Sequence, residues 1–399
     1  MSLKARRPLV EIGTAALGFS SAVAVTGLAQ GISVPDQSGR AMTVLGPIDP
    51  AQLGPTLMHE HLFIRFWVPL EEPERWSRLG LRRPETAEEL AIWNAPFTAR
   101  DRMKLLTYFQ RNREGFTLDD LPTAVSEVQA YQALGGRTIV DVTTTGLNPQ
   151  PEKLREVAKR TGANVVAGTG FYRRAWHPAD MGQRSLDDLT QFVVREIAVG
   201  MGTTGIRAGI IGEIPAEDLV FEPRESDEVR VLRAAARASR LTGAAITLHS
   251  DFQKMKNLHT SVDILEEEGA DLSRVVVGHI ASVASADLSF LESLLRRGVY
   301  LQFDVLGNPL DLAIPNRPMV DAIEALIERG YSRRILVSHE VCTKFQLREY
   351  GGYGFTFVQS VLIPHLLGRG VSTRAITEIT VENPRRVLTF VKPQALAAR

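Results

Sequence analysis

The sequence predicts an α/β protein, a (β/α)8 barrel of the TIM type, and three observations predict it. Eight short runs rich in aliphatic and β-branched residues recur along the chain, and helical stretches separate the later ones. Such alternation builds parallel sheets. The runs are almost continuously apolar, as strands buried on both faces are. No Gly-rich phosphate turn follows the first run; Leu53-Gly54-Pro55 precedes it instead. That disfavours the runner-up, a doubly wound open sheet.

The first run, Pro55-Thr56-Leu57-Met58, leads into His59-Glu60-His61-Leu62. Alternate residues of a strand share a face, so both imidazoles aim at one point and Glu60 points away. Alone, the pair reads equally as metal ligands or as an ordinary histidine pair. The next stretch, about 65–118, is irregular and rich in Pro, Glu and Arg. It holds or adjoins Phe63, Phe66, Trp67, Trp76, Trp93, Phe97, Tyr108, Phe109 and Phe116. An aromatic insertion of this length reads as a lid or binding loop, or as an arm packed on the barrel or on a partner subunit.

Regular structure then sets in. Helical periodicity from Pro122 to Leu134 stops at Gly135-Gly136. Strands are expected at 137–142, 164–169, 206–213, 245–249, 275–279, 299–304 and 335–338. Helices are expected between them at about 151–160, 185–200, 226–241, 260–268, 286–297 and 318–329, with a last one at about 355–368.

Composition narrows the partners. Lys+Arg 46 balance Asp+Glu 46, so no net field points to nucleic acid or an anionic membrane. The single cysteine, Cys342, precludes an intrachain disulfide. Apolar residues reach 44%, enough for one large core, and residues 43–390 read as a single barrel domain. Residues 1–35 differ. Lys4-Ala5-Arg6-Arg7 precedes the uncharged stretch Ile12 to Ala29, with small residues at Ala22-Val23-Ala24 and Gly27-Leu28-Ala29. This reads as an export signal, the Arg6-Arg7 pair hinting at the twin-arginine route to the periplasm, cell envelope or exterior. A disordered or membrane-tethering N-terminus is the alternative, on a protein otherwise expected in the cytoplasm. The stretch is too short and too weakly apolar for a stable membrane span.

The C-terminal strand ends of a barrel converge on one pocket. Those ends carry His59 and His61, Glu213, His249, His279, and the Ser338-His339-Glu340 segment. Besides His339, four of the chain's eight histidines and two carboxylates fall there, which reads as a metal site. Six side chains exceed what one tetrahedral ion takes, so two divalent ions are expected. Imidazole with carboxylate suits Zn, Mn, Co or Fe alike.

The chain resembles the phosphotriesterase family of the amidohydrolase superfamily. The matching stretches include Gly54-Pro55-Thr56-Leu57-Met58-His59-Glu60-His61-Leu62, Gly168-Thr169-Gly170-Phe171-Tyr172 and Ile206 to Ile214. They continue with Thr247-Leu248-His249, Val277-Gly278-His279, Gln302-Phe303-Asp304, Ile335-Leu336-Val337-Ser338, Gly351-Gly352-Tyr353-Gly354 and Glu382-Asn383-Pro384. The resemblance implies an amidohydrolase-type barrel with a binuclear centre, usually zinc. It places His59 and His61 on the more buried metal and His249 and His279 on the more exposed one. Organophosphate-hydrolysing members carry a carboxylated lysine bridge on strand 4; this chain has no lysine there and resembles the branch that bridges through glutamate, here Glu213. On strand 8 the family has an aspartate that ligates the buried metal and accepts a proton. Glu340 stands at that position, one methylene longer.

The resemblance implies hydrolysis of an ester-type bond, in a lactone, carboxylester or phosphotriester, with Glu340 as general base. The alternatives are an N-acyl amide substrate, or a metal-binding barrel weakened in catalysis by Glu340. His339 could stand in for Glu340, although adjacent strand residues face opposite ways. Substrate-binding candidates are Tyr172 and Trp176 after strand 3 and Cys342 after strand 8, with Phe171, Arg173, Gln253, Gly307 and Asn308 nearby. The partner expected is a small molecule, and by analogy with the family a homodimer.

Overall fold

The structure, a computed structural model, describes residues 32–102, 112–215, 226–250, 256–280, 287–307 and 316–396. The core of the expected export signal, together with Tyr108, Phe109, Gln253 and Asn308, lies outside the described residues.

Eight parallel strands form the barrel: β1 (Thr56–Glu60), β2 (Thr138–Asp141), β3 (Asn164–Thr169), β4 (Ile210–Pro215), β5 (Ile246–His249), β6 (Val275–Val277), β7 (Tyr300–Phe303) and β8 (Ile335–Val337). They lie in sequence order, β1 beside β2 and onward to β8. Side chains and one backbone bond stitch the seam between β8 and β1. The Glu340 N–H donates to the His59 carbonyl at 3.1 Å, and the His59 N–H donates to Ser338 Oγ at 2.9 Å. Seven helices alternate with the strands: α1 (Leu121–Ala133), α2 (Pro151–Thr161), α3 (Leu186–Ala198), α4 (Asp227–Thr242), α5 (Lys256–Glu267), α6 (Leu288–Leu295) and α7 (Asn316–Glu328). Their starts follow local chemistry. Asp120, Ser185 and Ser226 each cap the first turn of a helix with a side-chain oxygen.

Both strand faces are buried, which accounts for the continuous apolar runs. Met58, Val140, Val166, Ile210, Val276 and Leu336 pack together in one cluster. Their neighbours Leu57, Ile139, Val165, Ile211, Val277 and Val337 join a second cluster with helix residues such as Leu232 and Ile323. The fourth strand starts at Ile210, later than expected. A Cβ on Gly209 would stand 2.3 Å from the Met42 carbonyl, because the strand Ala41–Thr43 crosses there. The last expected helix is broken into a 3-10 turn (Gly354–Thr356), a π-turn (Val358–Leu362) and a short α-helix (Ile363–Gly368).

The insertion is a packed arm rather than an open loop. Ile64–Arg65 pairs with Thr117–Leu118 at its base, and helices Pro73–Arg78 and Ala87–Asn94 lie between. Phe97 and Phe116 bury the Phe345 ring, with centroids at 4.6 and 5.8 Å. Lys344 pairs with Glu114 at 2.6 Å, and its N–H donates to the Gly115 carbonyl at 2.9 Å. The arm therefore grips the segment just after β8. Among the described residues, no helix is long and apolar enough to cross a membrane.

Candidate metal centre

The C-terminal ends of β1, β4, β5 and β6 and the segment after β8 bring six side chains together. His59, His61, Glu213 and Glu340 each offer a donor atom within 4.8 Å of the others, and so do Glu213, His249, His279 and Glu340. Both carboxylates belong to both groups. All but Glu340 are buried, and Glu340 is 13% exposed at the open side. His59, His279 and Asp304 form a third such grouping.

The donor set fits cations. His59 Nε2 and Glu213 Oε2 are buried, 3.3 Å apart, and neither makes a hydrogen bond. Buried polar atoms seldom go without a partner unless a ligand supplies one. Glu213 Oε1 lies 3.5 Å from His61 Nε2, and Oε2 lies 3.8 Å from His249 Nε2.

Three of the imidazoles are turned so that Nε2 faces inward. Thr143 Oγ1 donates to the Phe63 carbonyl at 3.2 Å, so it accepts from His61 Nδ1 at 2.8 Å. Asp304 accepts from His279 Nδ1 at 2.9 Å through Oδ1 and faces His59 Nδ1 at 3.0 Å through Oδ2. It also takes the His279 N–H at 3.0 Å and the Gln302 amide at 2.8 Å. With Nδ1 held in this way, each Nε2 faces the site and offers its lone pair there once its proton is lost. Asp304 thus organises two candidate ligands from two strands. The strand-end reading passed over it, although it closes β7 by the same rule that picked out the histidines.

Charge follows this arrangement. Burial disfavours a proton on His59, but Asp304 and Glu213 outweigh it and raise His59 to about 10. Burial likewise opposes a charged His279, and Glu340 and Asp304 overcome it and hold its pKa well above the usual range. His61 and His249 have no such compensation; burial and the neighbouring imidazoles push them down. Asp304 is buried, yet His279 and His59 hold it well below the ordinary carboxylate range.

Two glycines make room for this geometry. Gly212 sits at φ +128°, and a Cβ there would stand 2.3 Å from the Thr247 carbonyl. A Cβ on Gly278 would meet the Leu248 carbonyl at 2.5 Å and Asp304 Oδ2 at 3.0 Å. His279 and Glu340 themselves adopt φ +55° and +51°, a sparsely populated region for side chains other than Asn, Asp or Gly.

The residues flanking Glu340 do other work. Glu60 is buried and accepts from Ser338 Oγ at 2.7 Å, from the His339 N–H at 2.9 Å and from the Val341 N–H at 2.9 Å. His339 Nε2 accepts the Val358 N–H at 3.0 Å, so its Nδ1 donates to Glu60 at 2.8 Å. His339 is committed on both nitrogens away from the histidine cluster and cannot replace Glu340.

Tyr172 and Trp176 are buried in an aromatic group with Phe66, whose ring stacks on Trp176 with centroids at 5.4 Å. The Tyr172 hydroxyl lies 3.0 Å from His249 Nε2, which ties this group to the centre. Cys342 is buried too. Burial, with Glu340 and Glu213 adding to it, holds its thiol well above the usual range, so it stays protonated. Beside His61 a cavity of about 300 Å3 opens between α1 and the segment after β8, bordered by Leu62, Thr123, Glu127, Leu347, Tyr350 and Phe355.

The family model described as phosphotriesterase family matches residues 39–388. An N-acetyltaurine hydrolase of Xenopus tropicalis is 32% identical over 363 residues, covering 88% of this chain and 99% of that protein. Among solved structures, a resiniferatoxin-binding protein from Rhodobacter sphaeroides superposes with a TM-score of 0.76. It is 36% identical and covers 88% of this chain and 95% of its own. A mutant of a Deinococcus radiodurans PTE-like lactonase has a TM-score of 0.66 at 26% identity, covering 87% and 99%.

Proposed function

The chain belongs to the phosphotriesterase family, a family of hydrolases, and on that premise we propose that it is a two-metal hydrolase of N-acyl amides. The observation that carries the hydrolase reading is the pair of donor groups that share Glu213 and Glu340. The choice of an amide is supported by the N-acetyltaurine hydrolases, which match nearly their whole length at 32% identity. It moves the amide bond ahead of the ester bond that the sequence alone favours. A carboxylester or lactone is the second reading, supported by the lactonase at 26% identity.

In this reading His59 and His61 would hold one cation and His249 and His279 the other, with Glu213 the carboxylate common to both groups. Bound there, the ions supply Lewis acidity for a carbonyl oxygen and a water deprotonated near neutral pH. The chain's own groups do the rest. Asp304 and Thr143 lock His279, His59 and His61 in the tautomer with Nε2 inward. Glu340, the one partly exposed member, is the carboxylate that would take the water's proton, freeing one of its oxygens to do so. The Tyr172 hydroxyl, beside His249 Nε2, and the Trp176 ring packed against Tyr172 are the side chains we assign to the substrate. The identity of the metal is open among Zn, Mn, Co and Fe. Export is part of the same reading, supported by the basic Lys4 to Arg7 segment ahead of an uncharged stretch.

The test is metal analysis of the purified full chain, then turnover of Zn-, Mn- and Co-loaded protein on N-acyl amino acids, N-acetyltaurine, lactones, aryl esters and phosphotriesters. The highest kcat/KM on an N-acyl amide is expected. Higher kcat/KM on lactones or esters replaces the first reading with the second. Full metal loading without turnover on any class sinks both and favours a binding barrel.

A further inference from the structure

We infer that Glu340 is a second bridging carboxylate, reaching both cations where an aspartate on the same backbone would reach one. The inference rests on the two-metal reading above and concerns how this chain's own residues would divide between the ions.

The first observation is where the carboxylate lies. Glu340 Oε1 is 3.2 Å from His279 Nε2. That imidazole belongs with His249, not with the His59 and His61 pair that the family pattern gives to the strand 8 carboxylate. Yet Glu340 also keeps a donor within 4.8 Å of His59 and His61. Among the described residues only Glu213 shares this double membership, and Glu213 is the bridge assigned from strand 4.

The second observation is that the Glu340 backbone is fixed. Its N–H donates to the His59 carbonyl at 3.1 Å. Its carbonyl accepts from Gln346 Nε2 at 2.6 Å. The residue is held at φ +51°. The side chain must therefore reach from a set point, and one additional C–C bond extends it by ~1.5 Å. A shorter aspartate would stop about that far from the His279 side and serve the His59 and His61 ion alone.

The chemistry is consistent with this division. Paired cations in hydrolytic sites sit ~3.5–4 Å apart, a span that one carboxylate covers with an oxygen on each ion. With Glu213 and Glu340 both shared, each ion receives two imidazoles and two carboxylate oxygens, and two negative charges are divided evenly between them. Terminal ligation would instead leave the His249 and His279 ion one carboxylate poorer.

The experiment uses the full chain with Mn(II) as probe, in crystals at saturating and limiting metal and in solution by calorimetry. Two anomalous peaks with one Glu340 oxygen on each are expected. Both oxygens on one peak, or Glu340 turned from the His279 side, overturns the inference. In Glu340→Asp the ion held by His249 and His279 should bind at least tenfold more weakly, while the His59 and His61 ion changes less than twofold. Loss of an outer-shell partner already costs ~10–100-fold in affinity, and a direct ligand should cost no less. Unchanged affinities, or a loss confined to the His59 and His61 ion, would refute the bridge. If the variant does not fold, the wild-type anomalous map decides alone. A bridged centre that turns over no substrate defeats the hydrolase reading and leaves this one standing.

Discussion

Replacing Asp304 by Asn separates two effects that act on metal affinity in opposite directions. Asp304 accepts from His279 Nδ1 at 2.9 Å, faces His59 Nδ1 at 3.0 Å and takes the Gln302 amide at 2.8 Å. Asn cannot accept on both sides at once, so one imidazole loses its orienting partner. Outer-shell losses of this kind cost ~10–100-fold in affinity, or roughly 1.4–2.7 kcal/mol. The same carboxylate, however, makes His59 hold a proton. With His59 at about 10, a cation binding at pH 7 must displace that proton, at ~1.4 kcal/mol per pH unit, or roughly 4 kcal/mol over the three units below 10. The sign is therefore fixed: wild-type affinity rises with pH and levels off near 10. In Asp304→Asn the proton competition weakens, although Glu213 preserves part of it at His59 and Glu340 part of it at His279. The variant should bind metal more weakly than wild type at pH 9.5 and as tightly or more tightly at pH 6.5. The two curves cross where the proton penalty equals the orientation loss, between about pH 8 and 9. Calorimetric Mn(II) titration in buffers of different ionisation enthalpy reads both the affinity and the protons released. Parallel curves over that range, or equal proton release from both proteins, would refute the reasoning.

Three further outcomes follow from the same contacts. Glu213→Ala removes a donor from both ligand groups, so bound metal and activity should fall together; a variant that keeps its full metal complement denies Glu213 the bridging role. Gln346 accepts from the Cys342 N–H at 2.9 Å, the Thr343 N–H at 3.0 Å and Thr343 Oγ1 at 2.9 Å while its amide donates to the Glu340 carbonyl. Gln346→Glu keeps the acceptor and sets a carboxylate against that carbonyl, so kcat should drop at least tenfold with KM within twofold; equal changes in both would mark a packing role. Phe345→Ala opens the buried contact with Phe97 and Phe116 and should cost ~3–5 kcal/mol in chemical unfolding if the arm unfolds with the barrel. A loss below 1 kcal/mol would show that the arm detaches without loosening the barrel.

The alternation of strands and helices was legible because burial on both barrel faces writes itself as continuous apolar runs. The histidines were legible because strand ends converge. What escaped had no periodic signature. Asp304 ends β7 as His249 ends β5, but a lone aspartate after Gln302-Phe303 looks like any polar strand terminus; its importance lies in accepting from His59 and His279, which are remote in sequence. The insertion was equally opaque. Its aromatics read equally as a lid or as an arm packed on the barrel; Phe97 and Phe116 close on Phe345, far along the chain, and only the fold reveals that contact.

Ser338, His339 and Glu340 show how one strand end distributes its work. Ser338 accepts from the His59 backbone and donates to Glu60, sealing the joint between β8 and β1. His339 turns outward, fixed by Glu60 on one nitrogen and Val358 on the other. Glu340 turns in, at a backbone angle that costs of order 1–3 kcal/mol and persists only where its surroundings impose it. They do: the His59 carbonyl and the Gln346 amide hold it from both sides, and the aromatic arm holds the segment containing Gln346 through Phe345 and Lys344. The longer carboxylate thus rises from a backbone restrained on both sides. A longer side chain on a fixed base changes which imidazoles it reaches without changing where it starts, and in this barrel the extra reach points toward His279.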